Sequence, residues 1–173
     1  NEHLKILKEA GVDLIILEAM TSKDRTVENI IECSKNVKLP IWLSISCAIN
    51  KDENILMHGY QESITNSKAK FYDTLENSLS KFSKMHEGPI LVAHSDIKVT
   101  GEAVKILKKV HKGIVGAYPN NGYFEKPHWK LINDISPSKY LEEAKNWVSN
   151  GAQIIGGCCG VGPDKISAIS VLK

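Results

Sequence analysis

Gln153-Ile154-Ile155-Gly156-Gly157-Cys158-Cys159-Gly160 lies near the C-terminus of a chain of 173 residues. The apolar run at its start reads as a short buried strand. Two glycines then open a bend, two adjacent cysteines follow, and Gly160 and Gly162 lead to Pro163, where a helix begins. Side chains that follow one another on a regular strand point to opposite faces. Both sulfurs can therefore reach one point only if the strand ends here and the backbone turns, which flanking glycines permit. Thiolates are soft ligands that zinc takes at about 2.3 Å. An isolated Cys-Cys would read first as two small buried side chains. Set between glycines, after a strand and before a helix, it reads as a ligand pair.

Outward from that stretch the chain repeats one rhythm: helix, glycine, strand. Leu4, Leu7 and Ala10 share a helical face that Gly11 ends, and Val12 to Leu17 reads as a strand apolar at nearly every position. Val27, Ile30 and Ile31 mark the next helix, and Pro40 introduces the strand Ile41 to Ser46. Residues 50–66 read as a long loop with a short strand at Ile55-Leu56. Phe71, Leu75, Leu79 and Phe82 line one side of a third helix, and Gly88-Pro89 leads into the strand Ile90 to Ala93. A helix carried by Ala103, Val104, Leu107 and Val110 precedes Gly113 and the strand Ile114 to Tyr118. A second long loop runs from Pro119 to Ile135. Ser136 then caps a helix with Pro137 at its first position, and Leu141, Ala144, Trp147 and Val148 give that helix its apolar stripe. Strands alternating with helices argue an α/β fold with a parallel sheet and right-handed crossovers. Five strands do not close a barrel of eight strand–helix units. On composition alone an open doubly wound sheet fits as well.

Composition excludes several classes. A hydrophobic fraction of 42% and a charged fraction of 24% suit a globular domain, and a net charge of +2 with lysines scattered along helices does not argue for nucleic acid. No apolar run approaches the roughly 20 residues of a membrane span. Four cysteines, two of them adjacent, do not form a secreted disulfide framework, so a cytoplasmic location is expected. The chain opens on Asn1, and a single domain over residues 1–173 that lacks its first strands is expected.

Gly156-Gly157-Cys158-Cys159-Gly160, followed by Pro163, Ile166 and Ile169, resembles the C-terminal signature of the homocysteine S-methyltransferase family, which includes the betaine- and S-methylmethionine-dependent enzymes. The resemblance implies a (β/α)8 TIM-type barrel, of which this chain would be about the last five units. It also implies a zinc ion held in part by Cys158 and Cys159, and methyl transfer from a sulfonium or ammonium donor to the thiolate of homocysteine, giving methionine. Small-molecule substrates are the partners it implies.

Working residues of a parallel barrel stand at the C-terminal ends of its strands. Those positions here are Glu18, Cys47, His94-Ser95-Asp96, Tyr118-Pro119-Asn120 and the cysteine pair. Glu18, in Leu17-Glu18-Ala19, matches a family glutamate that holds the amino acid moiety. Tyr118-Pro119-Asn120, with Gly122, resembles a family segment, and Tyr118 and Asn120 are expected to line the substrate pocket. Cys33 and Cys47 are expected to be core thiols. Where the family has Asn-Cys after the sixth strand, this chain has Ala93-His94-Ser95-Asp96. By register Ser95 takes the cysteine position, and a hydroxyl is a poor zinc ligand. Since Cys2His is a known catalytic set, His94 is expected to be the third ligand, with Asp96 as second choice or as partner to its imidazole. Aromatics of the second loop (Tyr123, Phe124, Trp129) are candidates to seat a cationic donor. The alternatives are a member acting on another thiol or donor, and a metal- or small-molecule-binding protein without turnover.

Overall fold

The computed structural model describes residues 2–51, 53–61, 69–125, 128–130 and 134–172, with side chains apart from those at 24, 61, 69 and 123–130. Its spine is a five-stranded parallel sheet: β1 (Ile15–Leu17), β2 (Ile41–Ile45), β6 (Ile90–Asp96), β7 (Val115–Asn120) and β10 (Ile154–Ile155), lying side by side in that order. Spatial order follows chain order throughout, with no reversal. A doubly wound sheet reverses at a switch point; this one does not. Right-handed crossovers that always step the same way keep their helices on one face. Those helices are α2 (Asp24–Ser34), α3 (Leu75–Met85), α4 (Ile97–Val110) and α5 (Pro137–Ser149), with α1 (Glu2–Glu9) and α6 (Pro163–Ile169) at the ends.

Alternation along the strands sorts two faces. Ile15 and Leu17, Leu43 and Ile45, Ile90 and Val92, Val115 and Ala117 join one core cluster with Val27, Ile31, Leu79, Phe82, Val104, Leu107 and Trp147 from the helices. The opposite face carries Ile16 and Glu18, Ser44 and Ser46, Leu91 and Ala93, then Gly116, Tyr118 and Asn120. It is smaller and more polar, and Ile16 on the outermost strand is 43% exposed there. The candidate site residues Glu18, Tyr118 and Asn120 stand on this second face.

Three expectations for local structure are corrected. Within 50–66, the described residues 55–61 form a full strand rather than a loop with a two-residue strand: β3 (Cys47–Asn50), β4 (Ile55–Gln61) and β5 (Ala69–Thr74) build an antiparallel sheet between β2 and α3, and residues 62–66 lie outside the described residues. Polar residues alternate with apolar ones there, the pattern of a half-exposed strand, and charge disguised it as loop. Phe71 belongs to β5, and α3 begins only at Leu75, where the Thr74 hydroxyl accepts from the Asn77 amide. The second long loop likewise holds a hairpin, β8 (Tyr123–Glu125) with β9 (His128–Lys130). Ser136 caps α5 through the Lys139 amide, as its sequence promised. Among the described residues no helix is long and apolar enough to cross a membrane.

Candidate metal centre

A β-turn presents the two cysteines. The Val161 amide donates to the Cys158 carbonyl at 3.1 Å, and Gly160, third in the turn, has φ of +77°. A type II turn demands positive φ at that position, which glycine adopts without strain. Gly157 is required for another reason: a Cβ there would lie 2.2 Å from a Val161 methyl and 2.5 Å from its Cβ. The turn leaves the two sulfurs 3.7 Å apart. Two sulfurs bound to one tetrahedral zinc at about 2.3 Å stand roughly 3.8 Å apart. Cys158 and Cys159 are thus already spaced as one edge of a zinc tetrahedron.

Three neighbours fix this loop. Tyr140, buried in α5 against Trp147 (ring centroids 5.4 Å apart), donates its hydroxyl to the Gly156 carbonyl at 2.6 Å. The end of β7 binds it twice: the Cys158 amide donates to the Pro119 carbonyl at 2.9 Å, and the Asn121 amide to the Cys159 carbonyl at 2.7 Å. The Asn121 side chain donates to the Gly160 carbonyl and to Asp134, whose other partner is the buried ammonium of Lys165 at 3.0 Å. Asn121, Asp134 and Lys165 carry no sequence pattern that marks them, because they act through loop geometry. Sequence reading missed all three.

The candidate third ligand comes from β6. Between Ala93↔Tyr118 and Asp96↔Asn120 the register shifts, so β6 spends three steps where β7 spends two. His94 sits in this bulge with φ of +48°, a left-handed conformation that is strained for a residue with a side chain. Bulges re-aim side chains, and this one turns His94 toward the cysteines. A ring nitrogen of His94 and the sulfurs of Cys158 and Cys159 all lie within 4.8 Å of one another. Ser95 turns the other way. Buried, it accepts from the Cys47 amide at 2.9 Å and donates to the Ala93 carbonyl at 2.8 Å. The residue facing the sulfurs is therefore His94, while Ser95, at the position expected for the family cysteine, has its hydroxyl engaged elsewhere. Asp96 lies outside this cluster; its carboxylate caps α4 by accepting from the Lys98 amide.

Burial dominates the electrostatics around the cluster. Burial, then the neighbouring Cys159 and more distantly Glu18, hold the Cys158 thiol above its ordinary value, so without a cation it stays protonated. Burial, reinforced by Glu18 and Cys158, pushes Tyr118 up to about 12. Its hydroxyl lies beside Ser44 without a hydrogen bond of good geometry, and the Asn120 Oδ1 and Ser46 Oγ are likewise buried with no partner among the described residues. Asn120 Nδ2 stands 3.4 Å from His94 Nδ1. Glu18 is held at the rim by its own strap: the Ala19 amide (φ +50°) reaches Ser44 Oγ, the Met20 amide donates to the Ser44 carbonyl, and His58 Nε2 donates to the Met20 carbonyl. Cys47 is a core thiol, pushed up to about 12 by burial, whereas Cys33 is half-buried on α2. The side chains of Tyr123, Phe124 and Trp129 lie outside the described residues.

Two soft thiolates and one imidazole suit zinc, and three protein ligands leave one position for a substrate. A family model described as homocysteine S-methyltransferase matches residues 1–172. Homocysteine S-methyltransferase 3 of Zea mays is 29% identical over 178 residues, covering 96% of this chain and 46% of that protein. Selenocysteine methyltransferase of Astragalus bisulcatus is 24% identical, with the same coverage. The homocysteine methyltransferase MmuM of Escherichia coli, in its metallated form, superposes with a TM-score of 0.67 at 18% identity, covering 98% of this chain and 48% of that one. The chain thus spans about half the length of the proteins it matches.

Proposed function

Because the chain belongs to the homocysteine S-methyltransferase family, we propose that it forms the thiol-activating part of an enzyme that moves a methyl group from a sulfonium or ammonium donor to homocysteine. On this reading residues 1–173 are one domain, and the five parallel strands are the last five of an eight-stranded barrel. The observation that carries the proposal is the clustering of His94, Cys158 and Cys159 within 4.8 Å, with the sulfurs 3.7 Å apart.

Cys158, Cys159 and His94 would hold Zn²⁺. When bound, the ion lowers the pKa of an incoming thiol so that its sulfur is present as thiolate at neutral pH. The chain's own residues do the rest. Glu18, exposed at the strand end, offers a carboxylate to the substrate's ammonium group. Tyr118 and Asn120 line the same face, and the unpartnered Tyr118 hydroxyl suits the polar end of an amino acid. The loop anchors from Pro119, Asn121 and Tyr140 keep the sulfurs in place, so the acceptor is oriented before a donor arrives.

The full-length protein should convert homocysteine to methionine with S-methylmethionine, S-adenosylmethionine or betaine. Cys158→Ser and His94→Ala should each abolish that conversion and weaken the protein's hold on zinc. Activity untouched by either change would refute the assignment. A panel with selenocysteine and other thiols separates a homocysteine enzyme from one with another acceptor, a reading favoured by the Astragalus relative. Zinc retained with no methyl transfer to any acceptor would make it a binding protein.

A further inference from the structure

We propose that Asn120 is the positioning residue that selects the ligating tautomer of His94, an inference that rests on the zinc reading above. A neutral imidazole carries one proton, and the nitrogen that keeps its lone pair is the one that can ligate. His94 Nδ1 faces Asn120 at 3.4 Å. With the Asn120 amino group toward it, Nδ1 must accept, the proton then sits on Nε2, and the ring has no lone pair left for a metal. Turning the amide by 180° about its last bond exchanges two groups of nearly equal size. Oδ1 then accepts from Nδ1–H, and Nε2 presents its lone pair. Oδ1 is buried and makes no other hydrogen bond among the described residues. The amino group takes its place in exchange, so either orientation leaves one amide atom without a partner among the described residues, and the one in which Oδ1 accepts is the one that holds the ligating tautomer. Metal-bound histidines generally donate their second N–H to such an acceptor.

Asn120 is also placed to do this without slack. The residues on either side of it, Pro119 and Asn121, take the two backbone bonds that hold Cys158 and Cys159. One tripeptide at the end of β7 therefore fixes the sulfurs through its backbone and the imidazole through its middle side chain. It also stands opposite the bulge that releases His94 from the sheet, since Asn120 pairs with Asp96 on the far side of that bulge.

The test measures Zn²⁺ affinity by chelator competition on the full-length protein and on Asn120→Ala and Asn120→Asp. An aspartate accepts and cannot donate, so it enforces the same tautomer. Asn120→Ala should bind zinc about 10–100-fold more weakly, and Asn120→Asp at least as tightly as the parent. With Co²⁺ in place of zinc, the Asp variant should keep the parent's visible absorption and the Ala variant should shift it. In a His94→Ala background, Asn120→Ala should cost nothing further. Equal affinity in the parent and Asn120→Ala, or an equal loss in Asn120→Ala and Asn120→Asp, would overturn the assignment while leaving the zinc site standing. A parent protein that takes up no zinc would overturn both.

Discussion

At the scale of single residues, the centre depends on one histidine held in an uncomfortable backbone conformation. His94 at φ of +48° is tolerated because the bulge and its neighbours determine it from both sides. A cysteine in its place keeps a ligating atom, whereas alanine removes one. His94→Ala should therefore weaken zinc binding by more than the roughly 10–100-fold that losing an outer hydrogen-bond partner costs, and His94→Cys should retain the metal; metal analysis and chelator competition read both. Tyr140 is the second such residue. Tyr140→Phe removes the donor to the Gly156 carbonyl, and a protein hydrogen bond contributes about 1 kcal/mol. Denaturant titration of the variant should show a loss of that size, without change in the slope of the transition. The cysteine pair, Glu18 and the Tyr118-Pro119-Asn120 segment were visible in the sequence because each stands in a short, unusual local pattern. The chemistry of a Cys2His set points to His94, but the bulge that turns it toward the sulfurs is one extra residue and leaves no mark on composition.

At the scale of elements, the cysteine loop is a turn whose shape is set by two glycines with different duties. Gly160 supplies a backbone angle, and Gly157 supplies room against Val161. Gly157→Ala must push Val161 aside by its Cβ, so it should displace the turn; its zinc affinity should drop while Ala at Gly156, whose added Cβ meets only Tyr118 Cβ at 3.4 Å, changes little. The five parallel strands were readable because central strands covered on both faces are apolar at every step, as Ile90-Leu91-Val92-Ala93 is. The antiparallel strands β3 to β5 were not, since half-exposed strands mix charge with apolar residues.

At the scale of the whole molecule, the base of the sheet repeats one device. His86 and His111 each end a helix and precede a strand across a glycine, and each imidazole fills the space beside that glycine. His86 Nε2 bonds the Pro89 carbonyl, while His111 bridges the Gly88 carbonyl and Ser83. Burial holds both imidazoles below their ordinary value. The folded state therefore prefers them neutral; their contribution is complete above the unfolded value of about 6.5 and is lost as pH falls from there through their folded values. The urea midpoint should accordingly be lower at pH 5.5 than at pH 7.5, and His86→Gln with His111→Gln should flatten that dependence. The strictly sequential order of the sheet governs timing as well. Each strand leaving the ribosome finds its neighbour already made, from β1 towards β10. The candidate ligands, though, come from β6 and from the loop after β10, so a cation held by all three has nowhere to lodge until that loop has been made.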